Sequence, residues 1–129
     1  MKKQLYPCLW FDGKARAAAD FYCSIFPGSK IIHDSGMVVN FELNGQLFMG
    51  LNGGPQFTFT EAVSFVIPCK EQEEIDHYWY KLIADGGKES MCCWCKDKFG
   101  LSLQVVPEIL GELMSNPEKG PRVVQAFLK

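Results

Sequence analysis

An internal repeat constrains the fold of this chain more than any other feature of its sequence. The dipeptide Tyr78-Trp79 repeats Phe21-Tyr22 at an offset of 57 positions. The same offset places the strand candidate 7–11 on residues 64–68. Each copy has the pattern of a strand, a helix and three more strands, and each helix ends at glycine. The repeat therefore predicts an α+β fold made of two tandem βαβββ modules.

The first copy has clear signals for its helix and for one hairpin. Asp12-Gly13 opens the helix, with Asp12 as the expected N-cap, and Pro27-Gly28 ends it. Asn44-Gly45 suits the positive φ angles of a two-residue hairpin turn. Strands are predicted over residues 4–11, 29–34, 37–43 and 46–51.

The second copy follows the same order. A helix is predicted over residues 71–84, with acidic side chains at its favourable N-terminal end and Asp85-Gly86-Gly87 as its stop. Strands are predicted over residues 62–68, 88–92, 94–96 and 101–106. After Pro107, a short helix is expected on Ile109, Leu110, Leu113 and Met114, and a last helical turn over 123–128.

Composition and charge exclude several classes of protein. Of 129 residues 47% are hydrophobic and the net charge is −2, so a packed core is expected and disorder is not. The 13 basic residues form no run and are outnumbered by 15 acidic ones, which argues against binding nucleic acid. No apolar stretch reaches the roughly 20 residues of a membrane-spanning helix. Without a recognisable signal peptide, we expect a cytoplasmic protein whose six cysteines are free thiols.

Several short motifs resemble those of one protein superfamily. They are Leu9-Trp10-Phe11-Asp12-Gly13-Lys14-Ala15, Leu51-Asn52-Gly53-Gly54-Pro55, Asp97-Lys98-Phe99-Gly100-Leu101-Ser102 and Gln104-Val105-Val106-Pro107. In these motifs the chain resembles the vicinal oxygen chelate superfamily, which includes glyoxalase I, bleomycin-resistance proteins and extradiol dioxygenases. Within it, the chain is similar to the PhnB-like branch over nearly its whole length.

The resemblance implies an architecture and an assembly. It implies the glyoxalase/bleomycin-resistance fold, in which two βαβββ modules form a curled sheet around a cleft. We accordingly expect a single domain over residues 1–129, made of module 1–57 and module 58–129. A homodimer that packs or exchanges modules is the implied assembly. In metal-dependent members, His and Glu side chains from the first and fourth strands of each module hold a divalent ion.

The ligand positions of that metal site carry no metal-binding side chain here. By the resemblance they fall on Pro7, Gly50, Ser64 and Gln104. Proline and glycine have no donor side chain, and a hydroxyl and an amide bind divalent transition metals poorly. A slip of one residue would bring in Cys8 or Met49, but Cys8 alone would not hold an ion. We therefore expect no metal and no cofactor.

The implied cleft is mostly apolar. Its expected walls are Leu9, Phe11, Phe48, Gly50, Val66 and Trp94, and its expected polar groups are Asn52, Ser64 and Gln104. With Gln104 facing the cleft, strand alternation puts Ser102 and Val106 on the same face. Such a surface suits a small organic ligand with an aromatic or acyl part. The alternative is that these side chains only fill the barrel.

The side chains of one strand fit this assignment of sheet faces less well. A two-residue turn at Asn44-Gly45 places Asn40 and Glu42 on the helix side of their strand, where polar groups are unfavourable.

The cluster Cys92-Cys93-x-Cys95 lacks the spacing of a zinc or redox motif, and only Cys93 and Cys95 would share a strand face. Buried structural thiols are expected there.

Three functions fit the sequence. The first is a metal-free PhnB-like protein that binds a small organic molecule, with no reaction assigned. The second is a metal-dependent lyase or isomerase of the glyoxalase type whose ligands lie in another register. The third is a drug-sequestering resistance protein, although the expected cleft contains no carboxylate for a cationic drug. PhnB-like proteins often carry a demethylubiquinone methyltransferase name, but no glycine-rich strand-loop-helix for S-adenosylmethionine is present, so that activity is not expected.

Overall fold

The computed structural model describes residues 4–91 and 93–109 of the chain. The chain divides into two compact units, Met1–Thr58 and Phe59–Lys129, and each has its own sheet and helix. The helical segments predicted around Leu110, Leu113 and Met114 and over 123–128 lie outside the described residues. In the described part, no helix is long and apolar enough to cross a membrane.

The first unit is a four-stranded sheet with one helix. Its elements in chain order are β1 (Cys8–Phe11), α1 (Ala15–Ile25), β2 (Lys30–Asp34), β3 (Val38–Leu43) and β4 (Gln46–Asn52). The strands lie in the order β1-β4-β3-β2, with β1 parallel to β4 and the other pairs antiparallel. Asn44 (φ 50°) and Gly45 (φ 87°) form the turn between β3 and β4, which confirms the predicted hairpin.

The second unit repeats this topology. Its elements are β5 (Ser64–Cys69), α2 (Gln72–Ile83), a 3-10 turn (Ala84–Gly86), β6 (Lys88–Glu89), β7 (Trp94–Lys96) and β8 (Ser102–Pro107). The strand order is β5-β8-β7-β6, again with one parallel pair, between β5 and β8. The strand predicted over 88–92 ends at Glu89, because a turn in which Trp94 N donates to the Met91 carbonyl over 2.8 Å reverses the chain. The predicted α+β fold of two βαβββ modules is confirmed.

The core of the first unit lies between α1 and one face of its sheet. Ala15, Ala18, Ala19, Tyr22 and Ile25 give α1 a buried apolar stripe. Beneath it, the Phe41 ring stacks on Tyr22 (centroids 6.3 Å apart) and on Phe48 (5.5 Å). Leu9, Phe11 and Val39 complete this buried layer.

The core of the second unit has the same arrangement. Tyr78 and Leu82 are the buried residues of α2. Alternate residues of the strands are buried on one face of the sheet: Ile67, Cys69, Cys95, Leu103 and Val105. In each unit, the sheet face that carries the helix is therefore the core face. The opposite face is called the far face below.

Candidate functional site

Four of the predicted site residues come together on the far face of the second sheet. Val66 on β5 and Trp94 on β7 are the neighbours of Gln104 on β8 in the sheet register. Ser64 lies beside Ser102 in the next row of the same face. Alternation from the buried Leu103 and Val105 puts this set on the side away from α2. The face predicted for Gln104 and Ser102 is confirmed.

Gln104 and Ser64 are joined by a hydrogen bond across the sheet. Gln104 Nε2 donates to Ser64 Oγ over 2.9 Å. Because the serine hydroxyl accepts in this bond, its own hydrogen remains available for another acceptor. The bond therefore orients the hydroxyl and leaves it able to donate.

Two buried polar atoms next to this pair have no hydrogen-bond partner among the described residues. They are the indole nitrogen Nε1 of Trp94 and the hydroxyl oxygen Oγ of Ser102. Ser102 is only 1% exposed. A buried polar group without a partner costs about 1–3 kcal/mol, so native proteins retain few of them. A hydrogen-bonding group from outside the chain would be stabilised at this place.

An ion pair borders the site. Lys96, the neighbour of Ser102 in the register of β7 and β8, pairs with the carboxylate of Glu61. The hydrogen bond from Lys96, and after it one from the Glu61 backbone, lowers the pKa of Glu61. Both side chains are partly exposed, so the pair contributes little to stability. It nevertheless places a cation two positions from Trp94 on the same strand.

The apolar residues predicted for the first module lie on the other side of their sheet. Leu9, Phe11 and Phe48 are buried in the core layer beneath α1. Leu9 is the register neighbour of Gly50, and a Cβ added at Gly50 would lie 3.2 Å from the Cβ of Ala15 on the helix. The structure thus corrects the face on which these four residues were expected, because the face they occupy is filled by α1.

The length of the connection between the first strand and the helix explains why the faces of the first sheet are the reverse of those predicted. α1 begins four positions after the last residue of β1, whereas α2 begins three positions after the last residue of β5. The offset of 57 therefore holds for the helices, where Ile25 and Leu82 are both buried. The strand ends Phe11 and Cys69, however, lie 58 positions apart. A shift of one residue moves every side chain of a strand to the opposite face.

The far face of the first sheet carries a different set of side chains. Met49 on β4 has Cys8 on β1 and Asn40 on β3 as its register neighbours. Glu42 lies on this same face, so neither Asn40 nor Glu42 is placed beneath the helix. In the predicted arrangement, these two polar side chains would lie beneath the helix, which is unfavourable. That conflict is the signal in the sequence that the two faces of the first sheet are the reverse of those predicted.

The metal-ligand positions change accordingly. At the two first-unit ligand positions, the residues that lie on the far face are Cys8 and Met49, not Pro7 and Gly50. Burial raises the pKa of the Cys8 thiol, which disfavours the thiolate that binds metals. Across residues 4–91 and 93–109, no group of three or more His, Cys, Asp or Glu side chains is placed to hold a metal ion. A metal-free protein remains a prediction.

Asn52, predicted as a polar group of the cleft, holds the first unit together instead. Its Oδ1 accepts a hydrogen bond of 2.9 Å from the backbone N of Ala15, at the start of α1. Its Nδ2 donates to the carbonyl of Gly36 over 2.8 Å. Asn52 therefore caps α1 from β4, and the cap expected from Asp12 is wrong, since α1 has no side-chain cap from its own N-cap residue, Lys14.

The residues after Asn52 also have a structural role. Trp10 Nε1 donates to the carbonyl of Gly54 over 2.8 Å, and the Trp10 ring meets Phe57 edge to face at 4.9 Å. A Cβ at Gly53 would lie 2.3 Å from the Trp10 ring. The glycines of this motif therefore let the chain close over the tryptophan.

The Asp97 motif forms the turn between β7 and β8. Asp97 is buried, and its Oδ1 accepts hydrogen bonds from the backbone N of Phe99 (2.9 Å) and of Leu101 (3.1 Å). These bonds satisfy backbone donors that would otherwise lack partners in a tight turn. The Asp97 turn thus positions β8, and with it Ser102 and Gln104.

The cysteines of the second unit are placed for packing. Cys95 lies in the core, and burial raises the pKa of its thiol to about 11, as it does for Cys69. Cys93 precedes β7 with a φ of 67°, so the prediction that Cys93 and Cys95 share a strand face is wrong. Cys92 lies outside the described residues. Protonated, buried thiols such as that of Cys95 are poor nucleophiles.

Comparison with solved structures identifies the fold. A glyoxalase/bleomycin resistance protein from Albidiferax ferrireducens is similar with a TM-score of 0.58 and 13% identity, covering 78% of this chain and 93% of that chain. A fosfomycin resistance protein from Listeria monocytogenes is similar with a TM-score of 0.57 and 13% identity, covering 81% and 90%. The chain has the fold of the vicinal oxygen chelate superfamily.

Two closer comparisons define the family. A family model described as 3-demethylubiquinone-9 3-methyltransferase matches residues 3–106. A PhnB protein from Bacillus cereus that carries the same methyltransferase name is 32% identical, with a TM-score of 0.73, covering 81% of this chain and 99% of that chain. The chain belongs to this PhnB-like family of the vicinal oxygen chelate superfamily. A search of curated proteins gave no match.

Proposed function

We propose that this chain is a metal-free protein that binds a small organic molecule on the far face of its second sheet. The observation that carries the proposal is a pair of buried atoms, Trp94 Nε1 and Ser102 Oγ, that have no hydrogen-bond partner in residues 4–91 and 93–109 and lie beside the bond between Gln104 and Ser64. Val66, 56% exposed in the same row as Gln104, supplies apolar surface. Apolar walls with a few convergent polar groups are typical of sites for organic ligands.

Each residue of this site has a distinct part in the proposal. Gln104 orients the Ser64 hydroxyl, which then donates to the ligand. The Val66 side chain and the Trp94 ring contact its apolar part. The polar atoms of Trp94 and Ser102 bind its polar part. No covalent step is assigned to these groups, since none of the five side chains is a strong nucleophile or a base near neutral pH.

The methyltransferase name of the family is not extended to this chain. Sites for S-adenosylmethionine of the doubly wound type need a glycine-rich connection between a parallel strand and a helix. In the described residues, each sheet has one parallel pair, and the connections from β1 to α1 and from β5 to α2 contain one glycine between them, Gly13. Ligand binding without methyl transfer is therefore the function that we propose.

The proposal includes a cytoplasmic homodimer. Cys8, Cys23, Cys69 and Cys95 are free thiols, which supports a reducing compartment. Large apolar side chains are exposed on the first unit, among them Met37 (65%) and Phe57 (63%), and surface of this kind favours association with a second copy.

Native mass spectrometry of protein purified without added metal or chelator tests the proposal as a whole. We expect a dimer without a transition metal. One divalent ion per chain would contradict the metal-free account and favour the metal-dependent lyase or isomerase.

Variants test the location of the site. We expect Ser64→Ala and Gln104→Ala each to reduce the thermal shift caused by aromatic or acyl fragments that stabilise the wild-type protein. Asn40→Ala, which removes a polar side chain from the far face of the first sheet, is the matched control and should leave the shift unchanged. Equal shifts in all three variants would contradict the proposed location.

A further inference from the structure

We infer that the ligand of this site presents a carboxylate, held by hydrogen bonds from the chain in place of a metal ion. The inference rests on the proposed function and adds the chemical class of the ligand. Three groups on the far face of the second sheet would donate to it: the indole N–H of Trp94 and the hydroxyls of Ser64 and Ser102.

The three tryptophans of the chain show why Trp94 is informative. Trp10 Nε1 donates to the Gly54 carbonyl over 2.8 Å, and Trp79 Nε1 donates to the Glu89 carboxylate over 3.1 Å. Trp94 Nε1 is buried without such a partner within the described part of the chain. An indole N–H can only donate, so the group that satisfies it must be an acceptor.

The two serines add donors at short range. Ser64 and Ser102 are direct neighbours on parallel strands, which lie about 4.8 Å apart. Ser64 Oγ already accepts from Gln104, which leaves its hydrogen to donate. Ser102 Oγ is buried and makes no hydrogen bond with the described residues, so its hydrogen is equally uncommitted. A carboxylate has two oxygens and accepts several hydrogen bonds at once.

The charges around the site favour an anion. Among the residues of β5, β7 and β8 there is no Asp or Glu, so the strands that carry the donors present no carboxylate of their own. Lys88 and Lys96 are register neighbours and lie in the row that contains Ser102 and Ser64. Glu89 lies on the opposite face, where it binds Trp79. Lys96 is partly neutralised by its ion pair with Glu61. A ligand ammonium would nevertheless meet three hydrogen-bond donors and Lys88 here, whereas a carboxylate would meet partners.

The test uses three probes with the same apolar body: 3-phenylpropionate, 3-phenylpropan-1-ol and 3-phenylpropylamine. Their dissociation constants are measured by titration calorimetry or by ligand-observed NMR on the full chain. We expect the carboxylate to bind at least about tenfold more tightly than the amine, with the alcohol between them.

Variants assign the effect to the donors. Trp94→Phe keeps an aromatic ring and removes the N–H, so it should weaken the carboxylate roughly five- to tenfold and the amine by less than about twofold. Ser102→Ala should act in the same direction. Trp79→Phe is the matched control, because its N–H already has a partner, and it should change no dissociation constant. Circular dichroism of each variant checks that the fold is kept.

The outcomes separate the inference from the function on which it rests. Binding of all three probes with equal affinity, or binding of the carboxylate that Trp94→Phe and Ser102→Ala leave unchanged, would overturn the carboxylate assignment and leave a binding protein. If none of the three probes binds, the proposed function fails together with the inference.

Discussion

In the first unit, Asn52 and Trp10 use their hydrogen bonds to hold the chain together, whereas in the second unit Trp94 and Ser102 are buried with no partner among the described residues. The two units share one topology, so the difference lies in what their polar side chains do. Buried polar groups without partners are rare in native proteins, and departures of this kind occur mostly at functional or strained sites. The comparison supports the proposal that polar side chains stabilise the first unit and bind a ligand in the second.

The same contrast applies to the sequence motifs that carry the family resemblance. The stretch Leu51-Asn52-Gly53-Gly54-Pro55 caps α1 and packs on Trp10, and Asp97 builds a turn. Of the proposed site, Ser64, Val66 and Trp94 lie outside these motifs. In this chain most of the motif residues build the fold, and only Ser102 and Gln104 belong both to a motif and to the proposed site.

The largest effect is expected from the glycine that lies against Trp10. Gly53→Ala would bring a Cβ within 2.3 Å of the Trp10 ring, so we expect a loss of about 3 kcal/mol in the free energy of unfolding. Chemical denaturation measures it. Gly50→Ala is the control, because the closest atom to its Cβ would be the Ala15 Cβ at 3.2 Å, so that the substitution should cost less. Equal losses of stability in the two variants would show that the close contact with the Trp10 ring does not determine the cost.

Asn52 should come next. Asn52→Ala removes the cap of α1 and the bond to the Gly36 carbonyl, so we expect a loss of about 2 kcal/mol. Asn52→Asp keeps the acceptor for Ala15 and loses the donor, and it should recover about half of that loss, as measured by denaturation at pH 7. If Asn52→Ala instead weakens ligand binding without affecting stability, the residue belongs to the site as first predicted.

Two serines should respond with opposite signs. Ser102→Ala removes a buried hydroxyl without a partner and should leave the free energy of unfolding unchanged or raise it by about 1 kcal/mol. Ser35→Ala in the first unit removes a hydroxyl that bonds the backbone of Val38 at 3.2 Å as donor and as acceptor, and should lower it by about 0.5–1 kcal/mol. A clear loss of stability in Ser102→Ala would contradict the account of the second unit.

The smallest effect concerns acid stability. The backbone N–H of Gly36, and after it the Arg16 guanidinium, lowers the pKa of Asp34. A lowered pKa in the folded state stabilises the protein above the unfolded value of 3.8 and loses that contribution as the pH falls through the folded value. Asp34→Asn should therefore flatten the loss of stability below about pH 4, as measured by thermal unfolding from pH 2 to 6. If the stability of Asp34→Asn falls below about pH 4 as steeply as that of the wild-type protein, Asp34 does not contribute to acid unfolding.

Local signals were sufficient to predict the fold and one of the two sheet faces. The repeat gave βαβββ twice, Asn44-Gly45 marked its hairpin, and alternation around Gln104 placed the second sheet correctly. The faces of the first sheet were predicted the wrong way round because the connection from β1 to α1 is one residue longer than the connection from β5 to α2. The repeat between the two helices does not reveal this difference.

Other features depend on contacts between residues distant in the chain. Asn52 caps a helix that begins 37 positions earlier, and no local pattern indicates such a bond. Likewise, only the assembled strands show that Trp94 Nε1 and Ser102 Oγ are buried without a hydrogen-bond partner in the described part of the chain.

The indole N–H signals of the three tryptophans test the central claim most directly. In a 1H–15N correlation spectrum, assigned with the three Trp→Phe variants, they report separately on Trp10 in the first unit, on Trp79 in α2 and on Trp94 at the proposed site. On titration with 3-phenylpropionate, the account predicts that the Trp94 signal moves and that the other two stay in place. A shift of the Trp10 signal with Trp94 unmoved would contradict it and place binding on the first unit.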